Sequence, residues 1–457
     1  MSKVLLIYPY FKPPRDRSVF RFPPLGIGYL ASSLVEAGHQ VRLLDCTFMN
    51  KGDALRQAQE AKAEIVGIYC MVTMLEDCLW LAQQLRKTTK LLIAGGPLAT
   101  CDPHAFLADF DVVVVGEGEL TIVELVAAFN LEKDIAAVPG VVTRRVIEAD
   151  GKSKEVIVTS QERPFIHDLD NLPFPARNQL PNHDYIQFGK RKYGYAITTV
   201  MSTRGCPYDC EFCSNVIFGG SYRERSAHNV VDEIEEALAL GYDRISFADD
   251  VFTQHQKRVW EIGEEIRKRN LQFYWECLGR VDSVDEKTYA EMFRAGCRRV
   301  YFGIESGDDS ILKLMNKKIT SDKARQAVWA AHNAGLEVGA FFILFYPGET
   351  IQTVLNTLRF ATSLPLDYLG LTMPYPLPGT ALYERVKDKI KRPWRPGESV
   401  FGSHVLIYNA EFSEARMWLG IIKGHVQFHI KRRLGKLAPF ALKLFEGPSD
   451  WLLTHLK

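Results

Sequence analysis

The stretch that decides the fold reads Thr203-Arg204-Gly205-Cys206-Pro207-Tyr208-Asp209-Cys210-Glu211-Phe212-Cys213, with its cysteines spaced Cys-x3-Cys-x2-Cys. Three thiolates cannot complete a tetrahedral zinc site, and no histidine lies close by to act as a fourth ligand. They can hold three irons of a 4Fe–4S cluster and leave the fourth iron open to another ligand. The alternative is three unpaired cysteines in an ordinary loop. The aromatic Phe212 before the last cysteine and the Gly-Cys-Pro turn at the first disfavour that alternative.

At these residues the chain resembles the radical S-adenosylmethionine (SAM) enzymes. The resemblance implies that Cys206, Cys210 and Cys213 bind the cluster. It also implies that the open iron takes the amino and carboxylate groups of SAM. The aromatic at the position of Phe212 then lies beside the adenine.

Composition sets the broad class of the protein. The 457 residues suffice for about two or three domains, and 47% hydrophobic with 24% charged residues is ordinary for a soluble globular chain. The net charge of +1 gives no reason to expect nucleic acid as a partner. The nine cysteines do not suggest a disulfide framework, so we expect a reducing cytoplasm. We see no signal peptide and no run near the roughly 20 apolar residues of a membrane span.

The first third of the chain alternates short apolar strands with helices. Strands are predicted at 4–8, 40–44, 65–69, 90–94 and 112–115. This alternation predicts a parallel sheet covered by helices on both faces, which is a doubly wound, Rossmann-like α/β domain. Ligands of such sheets bind beyond the carboxyl ends of the strands.

Glycines and polar residues follow several of these strands. A glycine at a strand end lets a flat ligand approach the backbone closely, although any one of them has an ordinary structural explanation. Together they resemble the cobalamin-binding domain that precedes many radical SAM cores, over residues 1–145. The candidate cobalamin-binding residues are Gly26, Asp45, Tyr69, Met71, Gly95, Gly96, Pro97, Gly116, Glu117 and Gly118.

Many cobalamin domains ligate cobalt through the histidine of an Asp-x-His-x-x-Gly motif. Asp102-Pro103-His104 resembles the start of this motif, but position 107 is Leu and the segment follows a later strand. The loop at 9–21 contains no histidine. We therefore expect bound cobalamin without an imidazole ligand on its lower face.

A connector at 146–195 contains the second strand of a predicted hairpin, 141–145 with 155–159, and a proline-rich stretch, and it leads to a second α/β region at 196–376. Its six predicted strands alternate with helices, as expected for the partial (β/α)6 barrel of the radical SAM family. Functional groups of parallel barrels lie at the carboxyl ends of the strands. The candidate SAM-binding residues there, with Phe212, are Asp249, Arg280, Glu305, Ser306 and Gly348. Asp250 competes with Asp249, since neighbours on a strand point to opposite faces.

The remaining residues, 377–457, form a helical C-terminal region with predicted helices at 414–434 and 438–445. Lysine and arginine outnumber acids in it. A membrane surface, an acidic protein or an anionic substrate could meet such a tail, and a solvated basic face of a helical cap is the simplest interpretation.

The combined pattern resembles the cobalamin-dependent radical SAM methyltransferases. This implies three cofactors, a 4Fe–4S cluster, SAM and cobalamin, with a flavodoxin or ferredoxin type of electron donor. The expected reaction is methylation of an unactivated carbon through a 5′-deoxyadenosyl radical and methylcobalamin. A cyclase or ring-contracting enzyme without methyl transfer is one alternative, and a non-catalytic cobalamin and iron–sulfur sensor is another. The substrate stays open between a protein side chain, a lipid and a small metabolite, and no catalytic residue is assigned.

Overall fold

The first unit is built on a seven-stranded sheet whose strands lie in the order β2-β1-β3-β4-β5-β6-β7. A computed structural model describes residues 1–11, 21–149, 152–391 and 407–456. The first five strands are parallel, and the chain reverses its direction of winding between β1 and β3. Such a reversal is where doubly wound sheets bind ligands. The strands are β1 Lys3–Tyr8, β2 Gln40–Asp45, β3 Ile65–Tyr69, β4 Leu91–Gly95, β5 Val112–Val114, β6 Val141–Ala149 and β7 Lys152–Thr159.

Helices cover both faces of this sheet, as its apolar strands require. Alternate residues of β1 point to opposite faces: Leu5 and Ile7 pack under one layer of helices, and Val4 and Leu6 pack under the other. The first layer is formed by α2, α3 and α4, and the second by α1 and α5. Their bounds are α1 Leu25–Glu36, α2 Lys51–Glu60, α3 Leu75–Leu85, α4 Pro97–Cys101 and α5 Glu119–Asn130.

The predicted hairpin is part of the first sheet. Strand β6 pairs antiparallel with β5 and then with β7, so the sheet extends to Thr159 rather than ending at the boundary we placed at residue 145. Pairing with β6 removes the free edge that β5 would otherwise present. The connector after it contains helix α6, Asn182–Tyr193.

The second unit is built on six parallel strands in the order β15-β14-β13-β12-β11-β8. Neighbours in the sheet are neighbours in the chain, joined by helices, which confirms the predicted partial barrel. The strands are β8 Ile197–Val200, the short pair β9 Thr203–Arg204 and β10 Arg223–Glu224, then β11 Arg244–Phe247, β12 Tyr274–Gly279, β13 Cys297–Glu305, β14 Glu337–Ile343 and β15 Tyr368–Thr372. The helices are α7 Ala227–Ala239, α8 Gln256–Lys268, α9 Glu286–Arg294, α10 Asp309–Leu314, α11 Ser321–Asn333 and α12 Ile351–Ser363.

The two units share a buried carboxylate. Glu233 on α7 is paired with Arg225, which follows β10, and with Arg177 of the connector. The hydroxyl of Tyr29, on α1 of the first unit, donates to the same carboxylate over 3.3 Å. Because a buried charge is stable only when it is paired and hydrogen-bonded, these contacts hold the units in one arrangement.

The C-terminal region adds α13 Ala381–Val386, α14 Glu414–Leu434 and α15 Ala438–His455. Helix α14 has the predicted bounds, but α15 continues ten residues beyond the predicted end, Phe445, through Gly447 and Pro448. The extension is stabilised by packing, because Leu453 is fully buried and Asp450 pairs with the buried Lys423 of α14 over 2.8 Å. Of the helices in the described part of the chain, none is long and apolar enough to cross a membrane.

Candidate functional site

The three cysteines lie in a loop, 205–222, that leaves the second sheet at β9 and returns at β10. These two short strands pair antiparallel, with Arg204 opposite Arg223, and so close the base of the loop. Backbone hydrogen bonds shape the inside: Cys206 N–H donates to the Gly219 carbonyl at 3.2 Å and Cys213 N–H to the Cys210 carbonyl at 3.0 Å. The loop therefore presents all three thiols at the carboxyl edge of the sheet.

The loop is attached to the sheet edge by its own acids. One oxygen of Glu211 accepts from the Tyr346 hydroxyl at 2.8 Å, and the other lies 2.5 Å from the Arg385 guanidinium. Asp209 pairs with Lys318 over 2.6 Å. These contacts tie the residues between the cysteines to three separate segments of the chain.

A lysine that sequence reasoning missed joins Phe212 to Glu305. The Lys317 ammonium lies 3.1 Å from the Glu305 carboxylate and 5.6 Å from the centre of the Phe212 ring. Glu305 is buried and has a φ of 72°, in the left-handed region that non-glycine residues rarely occupy. Such backbone strain persists where the surroundings enforce it, and it clusters at functional sites.

The guanidinium of Arg280 lies beneath the cysteine loop. It stacks 3.6 Å from the centre of the Tyr208 ring, donates to the Lys317 carbonyl at 2.6 Å and pairs with Asp282 at 2.7 Å. Its positive charge also opposes the effect of burial, which raises the pKa of the Cys206 thiol. Arg280 thus lies where it can meet negative charge on the loop.

The two aspartates after β11 have different surroundings. Asp249 is buried and accepts from the backbone N–H groups of Ser202, at 2.6 Å, and Thr203, at 3.1 Å. It fixes the chain entering the loop, while burial raises its pKa. Asp250 is exposed, and its charge contributes to the raised pKa of Cys206. The two neighbours thus have different surroundings, and SAM binding by Asp249 stays a prediction.

Ser306 and Gly348 follow the carboxyl ends of two neighbouring strands, β13 and β14. The Ser306 hydroxyl is fully buried and pairs with Thr357 at 2.9 Å. Gly348 has a φ of 95° in the turn after β14, which the Glu349 carboxylate stabilises by accepting from Tyr346 N–H at 2.9 Å. Burial raises the pKa of Glu349 to about 7.

An apolar cavity of about 250 Å³ opens at the carboxyl ends of the first sheet, between the sheet and helices α1 and α5. The second unit closes it with Met201, Arg204, Ile217 and Phe218, the last two from the cysteine loop. Most of the predicted ligand-binding residues line it. They are Gly26, Tyr69, Gly95, Gly96, Pro97, Gly116, Glu117 and Gly118.

Glycines make room in this cavity. A side chain at Gly26 would meet no other atom within 4 Å, and at Gly95 and Gly116 the nearest atom would be 4.0 Å away. Larger residues at Gly26 and Gly95 would fill the space without clashing, so glycine keeps the cavity open for a ligand, whereas Gly116 also has a φ of 76° that favours glycine. Gly96 has the opposite role: with a φ of 103°, its added Cβ would lie 2.8 Å from the Cys70 carbonyl oxygen.

The acidic end of this cavity is a buried ion network between the units. Arg204 pairs with Glu117 at 2.9 Å and with Glu119 at 2.5 Å, and Arg223 pairs with Glu117 at 2.8 Å. Glu117 also accepts from Ile166 N–H at 2.7 Å. Its carboxylate, which we predicted to bind cobalamin, therefore faces two arginines at the base of the cysteine loop.

Comparison with known proteins identifies the two domains that meet at this site. The B12 binding domain model matches residues 14–126, and the Radical SAM superfamily model matches residues 200–361. An uncharacterized methyltransferase of Pyrococcus horikoshii is 32% identical over 398 residues, covering 84% of this chain and 83% of that protein. The chain belongs to the cobalamin-binding radical SAM family.

Other members of the family have different named activities. An anaerobic magnesium-protoporphyrin IX monomethyl ester cyclase of Rubrivivax gelatinosus is 28% identical over 403 residues, 85% of this chain and 71% of that protein. Among solved structures, the radical SAM methyltransferase TsrM of Kitasatospora setae has a TM-score of 0.70 at 21% identity, covering 85% of this chain and 75% of that one. OxsB, a cobalamin-dependent radical enzyme, has a TM-score of 0.75 at 17% identity, and the match covers 99% of this chain and 72% of that one. These two show that the fold is shared.

Family membership supplies the cofactors, a 4Fe–4S cluster with SAM for the radical SAM domain and cobalamin for the B12-binding domain. The thiols suit the cluster, being three soft ligands held in one loop. In the described residues no three His, Cys, Asp or Glu side chains converge on one point as ligands of a single ion do. A cluster has a different requirement, since each cysteine ligates its own iron. The cavity suits part of cobalamin, with glycines and apolar walls that admit a flat, bulky group.

Two predicted cobalamin residues are not among those that line the cavity. Asp45 is buried and accepts from the Tyr185 hydroxyl at 2.7 Å, and burial raises its pKa. Met71 is half-buried where the chain leaves β3, and its carbonyl accepts from Met74 N–H. His104 is exposed and does not line the cavity. Residues 12–20 lie outside the described residues, so cobalamin without an imidazole ligand stays a prediction.

The backbone at Gly205 leaves no room for a side chain at the base of the cysteine loop. Its φ is 82°, and an added Cβ would overlap the Ser221 carbonyl oxygen. Gly205→Ala is expected to reduce bound iron to about a tenth of the wild-type content, since strain at the loop base moves Cys206. Iron and sulfide analysis after reconstitution measures this. Gly220→Ala is the matched control in the same loop, with no atom within 4 Å of its Cβ. Equal iron in both variants would show a loop that tolerates the strain.

Proposed function

We propose that this enzyme methylates an unactivated carbon, with the substrate held between the cobalamin side and the cluster side of one cavity. The observation that supports it is the shared wall. Ile217 and Phe218 of the cysteine loop line the cavity of the first sheet. Two reactive groups that border one enclosed space act on the same substrate without diffusion between sites. The Pyrococcus horikoshii relative, which matches most of both chains, is named a methyltransferase.

When bound, the cluster with SAM supplies hydrogen-atom abstraction, and cobalamin supplies the methyl group. The chain itself holds these groups and excludes water. Cys206, Cys210 and Cys213 ligate the cluster. The apolar lining of the cavity, formed by residues such as Ile93, Val114 and Phe218, keeps solvent from the reacting carbon.

We assign the SAM-binding roles by what each side chain faces. Phe212 lies beside the adenine, and Glu305 with Lys317 binds polar groups of SAM next to that ring. Arg280 meets the carboxylate of SAM, as its place below the loop supports. Asp250 faces the same space as the thiols. Asp249 and Ser306 act as supports for these residues, since their polar atoms already bond the backbone or Thr357.

A cyclase without methyl transfer is the second candidate. It is favoured by the Rubrivivax gelatinosus relative, whose named activity is ring closure and which matches 85% of this chain. The mass of the product distinguishes the two candidates. Methylation adds one CH2 for each turnover, and cyclisation adds none.

The deciding experiment supplies the reconstituted enzyme with methyl-labelled SAM, a reductant and cell extract. We expect 5′-deoxyadenosine together with a labelled product heavier than its precursor by one CH2. Sizing the labelled product as protein, lipid or metabolite then gives the substrate class. The Cys206, Cys210 and Cys213 triple alanine variant is the matched control. Formation of 5′-deoxyadenosine with an unlabelled, cyclised product would contradict methyl transfer and support the cyclase.

We further propose a flavodoxin or ferredoxin type of electron donor and a reducing cytoplasm as the working compartment. The nine cysteines support the compartment, since all of them are free thiols. The cysteine loop supports the donor, because it lies at a sheet edge with Cys213 exposed. Electron transfer from a small protein to the cluster needs such access.

A further inference from the structure

Helix α15 carries an uncovered apolar face. We define this face by the side chains of Leu437, Phe440, Leu444 and Trp451, which are 70%, 71%, 63% and 62% exposed. Leu437 lies in the short turn that leads into the helix, and the others lie on α15 itself. Soluble proteins seldom expose several large apolar side chains together, and such a patch marks an interaction site.

The spacing places these side chains on one side of the helix. Phe440 follows Leu437 by three residues, Leu444 follows Phe440 by four, and Trp451 follows Leu444 by seven. These steps are the repeat of a single helical face. The opposite side carries Ala438 and Leu453, which are buried against the rest of the protein. Helix α15 is thus apolar on two sides, one packed and one facing solvent.

The acidic and the basic residues around α15 differ in their exposure. Its two acids turn inward, where Asp450 pairs with Lys423 and Arg359 and Glu446 accepts from Gln427 at 2.9 Å. Three basic residues on α15 or shortly before it in the chain are exposed instead. They are Arg433, Lys436 and Lys443. The outer side of α15 therefore combines aromatic and leucine side chains with net positive charge.

This combination fits the surface of a membrane that contains anionic lipids. Leu, Phe and Trp insert at the boundary of headgroups and acyl chains, while Lys and Arg bind the anionic headgroups. A second copy of the chain fits less well, because symmetric pairing would bring both sets of Arg433, Lys436 and Lys443 together. A span is excluded for the described helices, so the helix would lie on the membrane.

We propose that the outer face of α15 docks this protein on membranes containing anionic lipids. The apolar face enters the interface, and Arg433, Lys436 and Lys443 contact the headgroups. The docking needs neither the cofactors nor methyl transfer, so its test is independent of the proposed function.

The test is cosedimentation of the full chain with phosphatidylcholine vesicles, with and without phosphatidylglycerol. We expect binding to the mixed vesicles that weakens as salt is raised, and at least about tenfold weaker binding to phosphatidylcholine alone. The double variant Phe440→Gln/Leu444→Gln is expected to lose at least about tenfold in affinity for the mixed vesicles. Lys436→Gln/Lys443→Gln is expected to lose the preference for phosphatidylglycerol.

The matched control is Leu120→Gln/Leu131→Gln, which removes two leucines that are 45% and 63% exposed on the first unit. It is expected to bind vesicles as the wild type does. Absence of wild-type binding overturns the proposal, and so does equal loss in the control. A concentration-dependent dimer that the α15 variant dissolves would assign the face to a second copy instead. A fall in thermal stability in Phe440→Gln/Leu444→Gln, but not in the control, would show that the face is packed in the fold and would overturn the proposal.

Discussion

Replacing Cys206, Cys210 and Cys213 together by alanine is expected to abolish iron–sulfur loading and 5′-deoxyadenosine formation, while cobalamin binding persists. The three thiols are the only soft ligands in the loop at 205–222, so nothing else in it can hold the irons. The cavity is formed mainly by the first sheet and contains none of the three cysteines in its wall. Iron and sulfide content, 5′-deoxyadenosine yield and cobalamin titration measure the three outcomes separately.

Cys78→Ala is the control for losing a thiol as such. Cys78 lies on α3 and is buried in the first unit, in the core on the face of the sheet opposite α1 and α5. We expect it to load a full cluster and to form 5′-deoxyadenosine at the wild-type rate. Continued 5′-deoxyadenosine formation by the triple variant would refute the cluster assignment.

Glu117→Ala is expected to lower the free energy of unfolding of the apoprotein by about 3–5 kcal/mol, the usual cost of breaking a buried ion pair. The variant leaves Arg204 with one carboxylate instead of two and removes the acid that pairs with Arg223. Both arginines are nine-tenths buried or more, so water does not replace the lost partner. Denaturant unfolding followed by circular dichroism measures the effect.

The matched control is Glu124→Ala on the same helix, α5. Glu124 pairs with Arg163 over 2.5 Å, but it is half exposed, so its loss is expected to cost less than about 1 kcal/mol. Equal costs for the two variants would show that the network between the units contributes no more than a surface pair. Because Arg204 also lines the cavity, Glu117→Ala is further expected to weaken cobalamin binding, whereas Glu124→Ala leaves it unchanged.

The architecture was predictable from sequence where the signals are local. Apolar strand runs separated by amphipathic helices gave both parallel sheets, and the helix at 414–434 has the predicted bounds. The cysteine loop was predictable from spacing alone. At the carboxyl ends of the first sheet, glycines predicted where the cavity lies, and most of the predicted residues line it, because glycines at strand ends can be recognised in the sequence.

The rest depends on contacts between residues far apart in the chain. Glu117 meets Arg204, 87 positions later, and no local pattern marks that pair. Lys317 meets the Phe212 ring only because the segment after α10 returns to the cysteine loop. Gly447 and Pro448 are local signals for the end of a helix, and burial of Leu453 overrides them in α15. The hairpin was visible in the sequence, but its pairing with β5 was not.

The ion network at the base of the cysteine loop also imposes an order on maturation. The first unit leaves the ribosome first, and its carboxylates at Glu117 and Glu119 then lack the arginines that pair with them. Arg204 and Arg223 gain these carboxylate partners only when the second unit has docked, and these residues close the strands that hold the loop. The thiols therefore reach their final spacing after docking. Iron–sulfur insertion should follow the folding of both units, and a truncated chain that lacks the first unit should be a poor acceptor of iron.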